Sequence, residues 1–128
     1  MKLNPDCLRD VLISIEEHTG YKVRTYYPSD NMNSLRKKYS DMEIRYHIIQ
    51  ASKASLIEPI TEDDQLSRIY IDDLTPKGHD FRANIRSDTF FEKAKKIAKE
   101  LGLESVRDLH QIATSIALVA IKGYFGLP

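Results

Sequence analysis

Arg36, Lys37 and Lys38 stand in a row, and Arg45-Tyr46 follow in the next helical segment. Guanidinium and ammonium groups hold phosphate oxygens, and Arg also forks onto base edges. Seven basic residues lie between Gly20 and Ala54 (Lys22, Arg24, Arg36, Lys37, Lys38, Arg45, Lys53), against the acidic Asp30, Asp41 and Glu43. Tyr26, Tyr27 and Tyr39 are interleaved with them. A basic, tyrosine-bearing segment of this kind suits contact with double-stranded DNA. Two features pull the other way. Asp41 and Glu43 open the helix that carries Arg45, where they would repel phosphates, although acids there also complement the helix dipole. Glu62-Asp63-Asp64 forms an acidic turn better matched to a protein partner.

Other reactive side chains form no recognisable centre. His18, His47, His79 and His110 are far apart, with no HxxxH, HxH or cysteine pair, whereas zinc needs three or four converging ligands. His47 and His79 are expected to pack or hydrogen-bond, and an approach of the two across a hairpin is one arrangement the order allows. Cys7 lies near a helix start, where a dipole can lower a thiol pKa, but no histidine adjoins it. Asp63-Asp64 and Asp72-Asp73 lack a partner motif, and there is no G-x-S-x-G, P-loop or glycine-rich phosphate cradle. The expectation is a protein that is not an enzyme, with no catalytic residue, metal or cofactor.

The chain has 128 residues with Lys+Arg and Asp+Glu both 19, so its formal net charge is zero. A nonspecific nucleic-acid binder is usually far more basic. The length suits one domain, 1–128, with a core over about 4–86 and a helical extension over about 88–124. A lone cysteine makes no internal disulfide, which favours a reducing compartment. No signal-peptide h-region follows Met1, and the longest uncharged run, 111–121, is too short for a bilayer. A cytoplasmic location without membrane contact is expected.

The elements that would position these groups follow from caps and periodicity. Asn4 as N-cap and Pro5 at N1 start a helix whose Leu8, Val11, Leu12 and Ile15 share a face, with Gly20 as its stop. Tyr21–Tyr27 alternates and is rich in β-formers, predicting a strand. A turn over Pro28–Asn33 and a short helix over Ser34–Lys38 come next. Ser40 caps a helix over Asp41–Ala54 with Ile44, Ile48 and Ala51 inward. Strands at Leu56–Ile60 and Leu66–Ile71, joined by a charged loop over Thr61–Gln65, make a hairpin. Thr75 caps the next helix with Pro76 at N1, and Asn84–Asp88 interrupts it. Phe90–Leu101 is a helix ended by Gly102, with Phe90, Phe91, Ala94, Ile97, Ala98 and Leu101 toward the core. A last helix runs from Glu104 or Ser105 to about Lys122.

Helix, apolar hook, hairpin and helix in this order predict an α+β winged helix-turn-helix with appended C-terminal helices. His47-Ile48, Ala51 and Ala54-Ser55-Leu56-Ile57 resemble the end of the recognition helix in bacterial winged-helix proteins, H-L-x-x-L-x-x-A-G-L-[IV]. Ala51 stands where Leu is usual and Ser55 where Gly is usual. Leu74-Thr75-Pro76-Lys77-Gly78-His79 resembles the L-T-x-x-G-[HR] junction that follows the wing. At Asp6–Ile15, Tyr39–Ile57 and Leu74–Phe91 the chain resembles an uncharacterised family of bacterial, phage and prophage proteins, domain of unknown function 2513. There a Trp is usual where Phe90-Phe91 stands. The resemblance implies a fold and a mobile-element origin, and no chemistry.

Two functional expectations result. One is a phage or mobile-element regulator that binds duplex DNA through Arg36, Lys37, Lys38, Arg45 and Tyr46. The other is a scaffold for protein contact, such as a phage accessory factor acting on a host protein, without DNA binding. The last helix is apolar on more than one side, which requires burial on more than one side. A homodimer through Leu109, Ile112, Ile116, Val119 and Tyr124 would supply it, as would packing within the chain.

Overall fold

Asn4 opens helix α1 (Pro5–His18) by accepting the backbone N–H of Asp6 and Cys7 on its side chain. The 3.6-residue spacing then puts Leu8, Val11, Leu12 and Ile15 on one fully buried face. Each such side chain contributes roughly 1.5–3 kcal/mol, so this face decides how α1 packs. The computed structural model describes residues 1–63 and 68–128. It is an α+β fold with six helices and one three-stranded antiparallel sheet among those residues.

Helix α1 ends at His18, with Thr19 in extended backbone as its cap, so Gly20 is not the stop. Gly20 and Val23 instead exchange both backbone hydrogen bonds at 2.9 Å around a tight turn. That turn shortens the expected strand: β1 is only Thr25–Tyr27. Thr25 and Tyr27 face the core and Tyr26 faces out. A 3-10 turn, Asp30–Met32, leads into α2 (Asn33–Lys38). Ser40 caps α3 (Asp41–Lys53) through the Glu43 N–H. Ile44, His47, Ile48 and Ala51 form its buried side.

The hook after α3 turns through Ser55, at φ +61°, with Leu56 N donating to Ala51 O at 2.9 Å. This left-handed turn is where glycine is favoured, which accounts for the usual Gly at the position Ser55 occupies. Ser55→Gly is therefore expected to raise stability by about 0.5–1 kcal/mol, read as a higher urea midpoint at unchanged m-value. A midpoint that falls would mean that contacts of the Ser55 side chain outweigh the backbone strain.

Strand β2 (Ile57–Asp63) pairs antiparallel with β3 (Arg68–Leu74), and β1 pairs on the other edge of β3, giving the order β1-β3-β2. The hairpin is longer than expected. Strand β2 continues through Thr61–Asp63, and β3 reaches Leu74 rather than Ile71. Of the acidic stretch expected as a turn, Glu62 and Asp63 belong to β2, and Asp64 lies with Gln65, Leu66 and Ser67 outside the described residues. Thr75 caps α4 (Pro76–Asn84). Ser87 caps α5 (Asp88–Leu101), which Gly102 ends at φ +69°. Ser105 caps α6 (Val106–Tyr124).

One cluster of buried apolar residues draws on all of these elements, from Leu8 and Ile15 through Ile48, Leu56, Ile71 and Phe81 to Phe91, Leu109 and Ile116. Phe90 and Ile97 pack against it from the side. Leu101, expected in the core, is largely exposed and lines a groove between α5 and α6 instead.

Candidate nucleic-acid interface

The short helix α2 ends in Arg36, Lys37 and Lys38, all exposed, while Leu35 alone anchors it in the core. Lys38 lies 3.7 Å from Asp10, which leaves its ammonium largely in solvent. Three cations in the last turn also suit the negative end of the helix dipole. Tyr39 then leads out of the helix, its hydroxyl donating to Asp10 at 2.7 Å. Burial first, and then that bond to Asp10, push its phenol well above the ordinary tyrosine range.

Arg45 is placed differently from the expectation of an outward reader. Its Nε donates to Asp41 at 2.9 Å, one helical turn back, and its guanidinium lies 5.1 Å over the Tyr27 ring. Tyr27 is fully buried apart from this contact, and its hydroxyl donates to Asp41 at 2.7 Å. Asp41 thus accepts from both partners. The Tyr27 bond is the main reason its carboxyl sits below the usual range, with Arg45 adding to it. Burial first, and then Asp41, push the Tyr27 phenol up to about 12. The acid that would repel DNA is therefore largely compensated, and it fixes the start of α3 to the end of β1. Tyr46, half-buried, meets the His47 ring edge-on at 5.1 Å, while Met42 is exposed beside Asp41.

The histidines divide as structural groups. His47 is completely buried, accepts the Asn4 N–H on Nε2 at 2.9 Å and lies 2.7 Å from the Glu43 carbonyl through Nδ1. An Nδ1–H tautomer satisfies both partners. His79 does not approach it. It sits at the start of α4, 3.6 Å from Asp73 and 4.0 Å from Glu16, beside the Arg82–Glu16 pair at 3.6 Å. This group ties α1 to α4, and the sequence spacing carries no signal for it. Among the described residues no three His, Cys, Asp or Glu side chains converge as a metal site. Cys7 is buried, and desolvation, followed by the charges of Glu43 and Asp10, pushes its thiol up to about 12. The helix start therefore does not activate it.

The family model described as hypothetical protein (DUF2513) matches residues 2–104. The chain belongs to this family. No curated protein and no solved structure matches it. The DUF2513 match takes in α1 to α5 and the whole sheet, and α6 begins just beyond it. Every residue of the α2–α3 surface lies within the DUF2513 region.

Helix α6 is divided along its length. Leu109 and Ile116, expected at a dimer interface, are buried in the chain's own core. They are spent on α5 and α4, the elements α6 packs against. Ile112 is half-buried, whereas Val119 and Tyr124 are 67% and 85% exposed. Among the described residues no helix is long and apolar enough to cross a membrane.

Sequence reasoning missed one group entirely. On the outer face of the sheet Tyr26 and Tyr70 are direct cross-strand partners, with ring centroids 5.6 Å apart. Arg24 lies 4.8 Å over Tyr70 and Arg68 lies 5.2 Å over Tyr26. Arg24 and Tyr26 were visible as basic and aromatic residues, but Arg68 and Tyr70 come from a strand more than forty residues away. Only the register joins them.

Proposed function

We propose that this chain is a winged helix-turn-helix regulator that binds duplex DNA, of phage or other mobile-element origin and working in the cytoplasm. What supports the fold reading is the order α1-β1-α2-α3-β2-β3 with β1 paired to β3. In it α2 and α3 are the helix-turn-helix, β2 and β3 the wing, and α4 to α6 the appended helices. The observation that carries the functional reading is the exposed Arg36-Lys37-Lys38 row directly before α3. In such a fold the start of the second helix meets the major groove and the preceding helix meets the backbone. The α2 cations would then hold phosphates, while Met42 and Tyr46 face the bases. Arg45, steered by Asp41 and Tyr27, shapes that surface.

The test is binding of the full chain to a labelled mixed-sequence duplex at low and near-physiological salt. The wild type should bind at low salt and weaken steeply as salt rises. Arg36→Glu, Lys37→Glu and Lys38→Glu combined should cut affinity at least about tenfold and lower the salt slope by roughly 0.9 for each phosphate no longer neutralised. Circular dichroism of the variant checks the fold. No wild-type binding at low salt, or unchanged binding by the folded variant, sinks the reading.

A second reading rests on a separate observation. Val119, Tyr124 and their neighbours Leu118 and Ile121 leave an exposed apolar surface on α6. A groove of about 500 Å³ between α5 and α6, lined by Ile97, Leu101, Ile112 and Val119 among others, adjoins it. A surface of this kind suits a protein partner, either a second copy or a host protein. Sedimentation over a range of concentrations reads self-association directly, and a strictly monomeric chain would leave only the host protein.

A further inference from the structure

We propose that the outer face of the sheet is a second nucleic-acid site, one that takes single-stranded rather than duplex nucleic acid. It stands apart from the α2–α3 surface and uses different residues.

The aromatic groups come first. Tyr26 and Tyr70 sit side by side on β1 and β3, tilted 40° to each other. Tyr21 stands beyond them at the Gly20–Val23 turn and is 90% exposed. That turn holds Lys22 at φ +60°, a conformation a non-glycine residue adopts only where its surroundings impose it. Its outcome is an aromatic ring projected into solvent, where nothing in the core is gained by it. Tyrosines on an open sheet are the usual means of stacking unpaired bases, since every base has a π-face. A duplex keeps its base faces stacked inside and has no use for them.

The cations are arranged to match. Lys22, Arg24 and Arg68 lie over Tyr21, Tyr70 and Tyr26 at 5.4, 4.8 and 5.2 Å. The Arg24 guanidinium, laid on the Tyr70 ring, keeps N–H edges pointing sideways, the geometry that meets phosphate oxygens. Each ring thus has a cation in contact with it, which puts a stacking surface and a phosphate partner within the reach of one nucleotide. Asp72, two residues beyond Tyr70, is on the same face, and Asp63 is the register partner of Arg68, so an acidic residue stands at each end of the cationic stretch. A cleft of about 410 Å³ adjoins it, lined by Tyr21, Lys22, Arg24, Asp72 and Asp73 among others. That volume accommodates one nucleoside, and its carboxylates can accept from a base N–H, such as N3–H of an unpaired thymine.

The test uses the full chain and a short labelled oligothymidine, with the mixed-sequence duplex as comparator, followed by fluorescence anisotropy at low salt. The oligothymidine should bind, and Tyr70→Ala should weaken it about tenfold. Tyr70→Phe should retain most of the affinity, because stacking needs the ring and not the hydroxyl. Arg24→Gln should weaken binding and flatten its salt dependence. The charge-reversed α2 variant should bind the oligothymidine as the wild type does, which separates this site from the duplex reading. Absence of oligothymidine binding overturns the proposal and leaves the face to a protein partner. So does a Tyr70→Phe loss as large as that of Tyr70→Ala, or an oligothymidine loss in the α2 variant equal to its duplex loss.

Discussion

Gly78→Ala is expected to destabilise the protein by about 2 kcal/mol. A Cβ at Gly78 would overlap the backbone oxygen of Leu56 and lie 2.9 Å from its carbonyl carbon. That carbonyl is fixed, because it accepts the Thr75 N–H at 2.9 Å. Thr75 is fixed in turn. Its hydroxyl donates to Ser55 O at 2.6 Å and accepts the Gly78 N–H at 2.9 Å. The first turn of α4 is thus clamped onto the hook that ends α3, and neither side can yield alone. Alanine would by itself favour a helix by about 1 kcal/mol over glycine. Overpacking against backbone costs up to about 3 kcal/mol or more, so the steric effect wins. Thermal melting should show a drop of about 8 °C, taking about 4 °C per kcal/mol for a domain of this size. A melting temperature equal to or above the wild type would mean that the clamp opens at little cost.

His47→Leu is expected to cost a similar amount, about 2 kcal/mol, for an electrostatic reason. Leucine fills much of the ring's volume and is apolar, so packing is largely kept. What disappears is the acceptor for the Asn4 N–H, 2.9 Å from Nε2. Asn4 is the N-cap of α1 and its side chain is already used on Asp6 and Cys7. Among the described residues no other acceptor for its half-buried backbone N–H is in place once the imidazole has gone, and an orphaned donor costs roughly 1–3 kcal/mol. His47→Gln restores an acceptor on a side chain of comparable reach and should recover part of the loss. Urea denaturation of the three proteins gives the order wild type, Gln, Leu. If Leu equals the wild type, the α1–α3 tie is energetically empty and His47 is held by packing alone.

These two positions show the limits of reading along the chain. The L-T-x-x-G-H junction was visible as a pattern, and its threonine as a helix cap. That Gly78 is required by the Leu56 carbonyl was not visible, because the contact spans the entire hairpin. His47 stood out as a packing or hydrogen-bonding residue, since no ligand partners had suitable spacing. Its partner, the backbone of Asn4, carries no side-chain signal at all. Ser55 was marked as a departure from glycine, and its left-handed backbone is the physical content of that departure.

Local chemistry determined the helices of this protein. Asn4, Ser40, Thr75 and Ser105 each cap the helix they precede, and Gly102 ends one, because caps and periodicity act within a few residues. The buried faces of α1 and α3 followed from the same short-range spacing. Tertiary structure alone decided the rest. It cut the strand at Tyr21–Tyr27 to three residues by closing the Gly20–Val23 turn, and paired it with β3. It drew Arg45 onto Asp41 and Tyr27 rather than outward. It spent Leu109 and Ile116 in the core while leaving Val119 exposed. Register and packing partners are set by contacts between segments distant in sequence, and a sequence pattern records which face is apolar but not what will cover it.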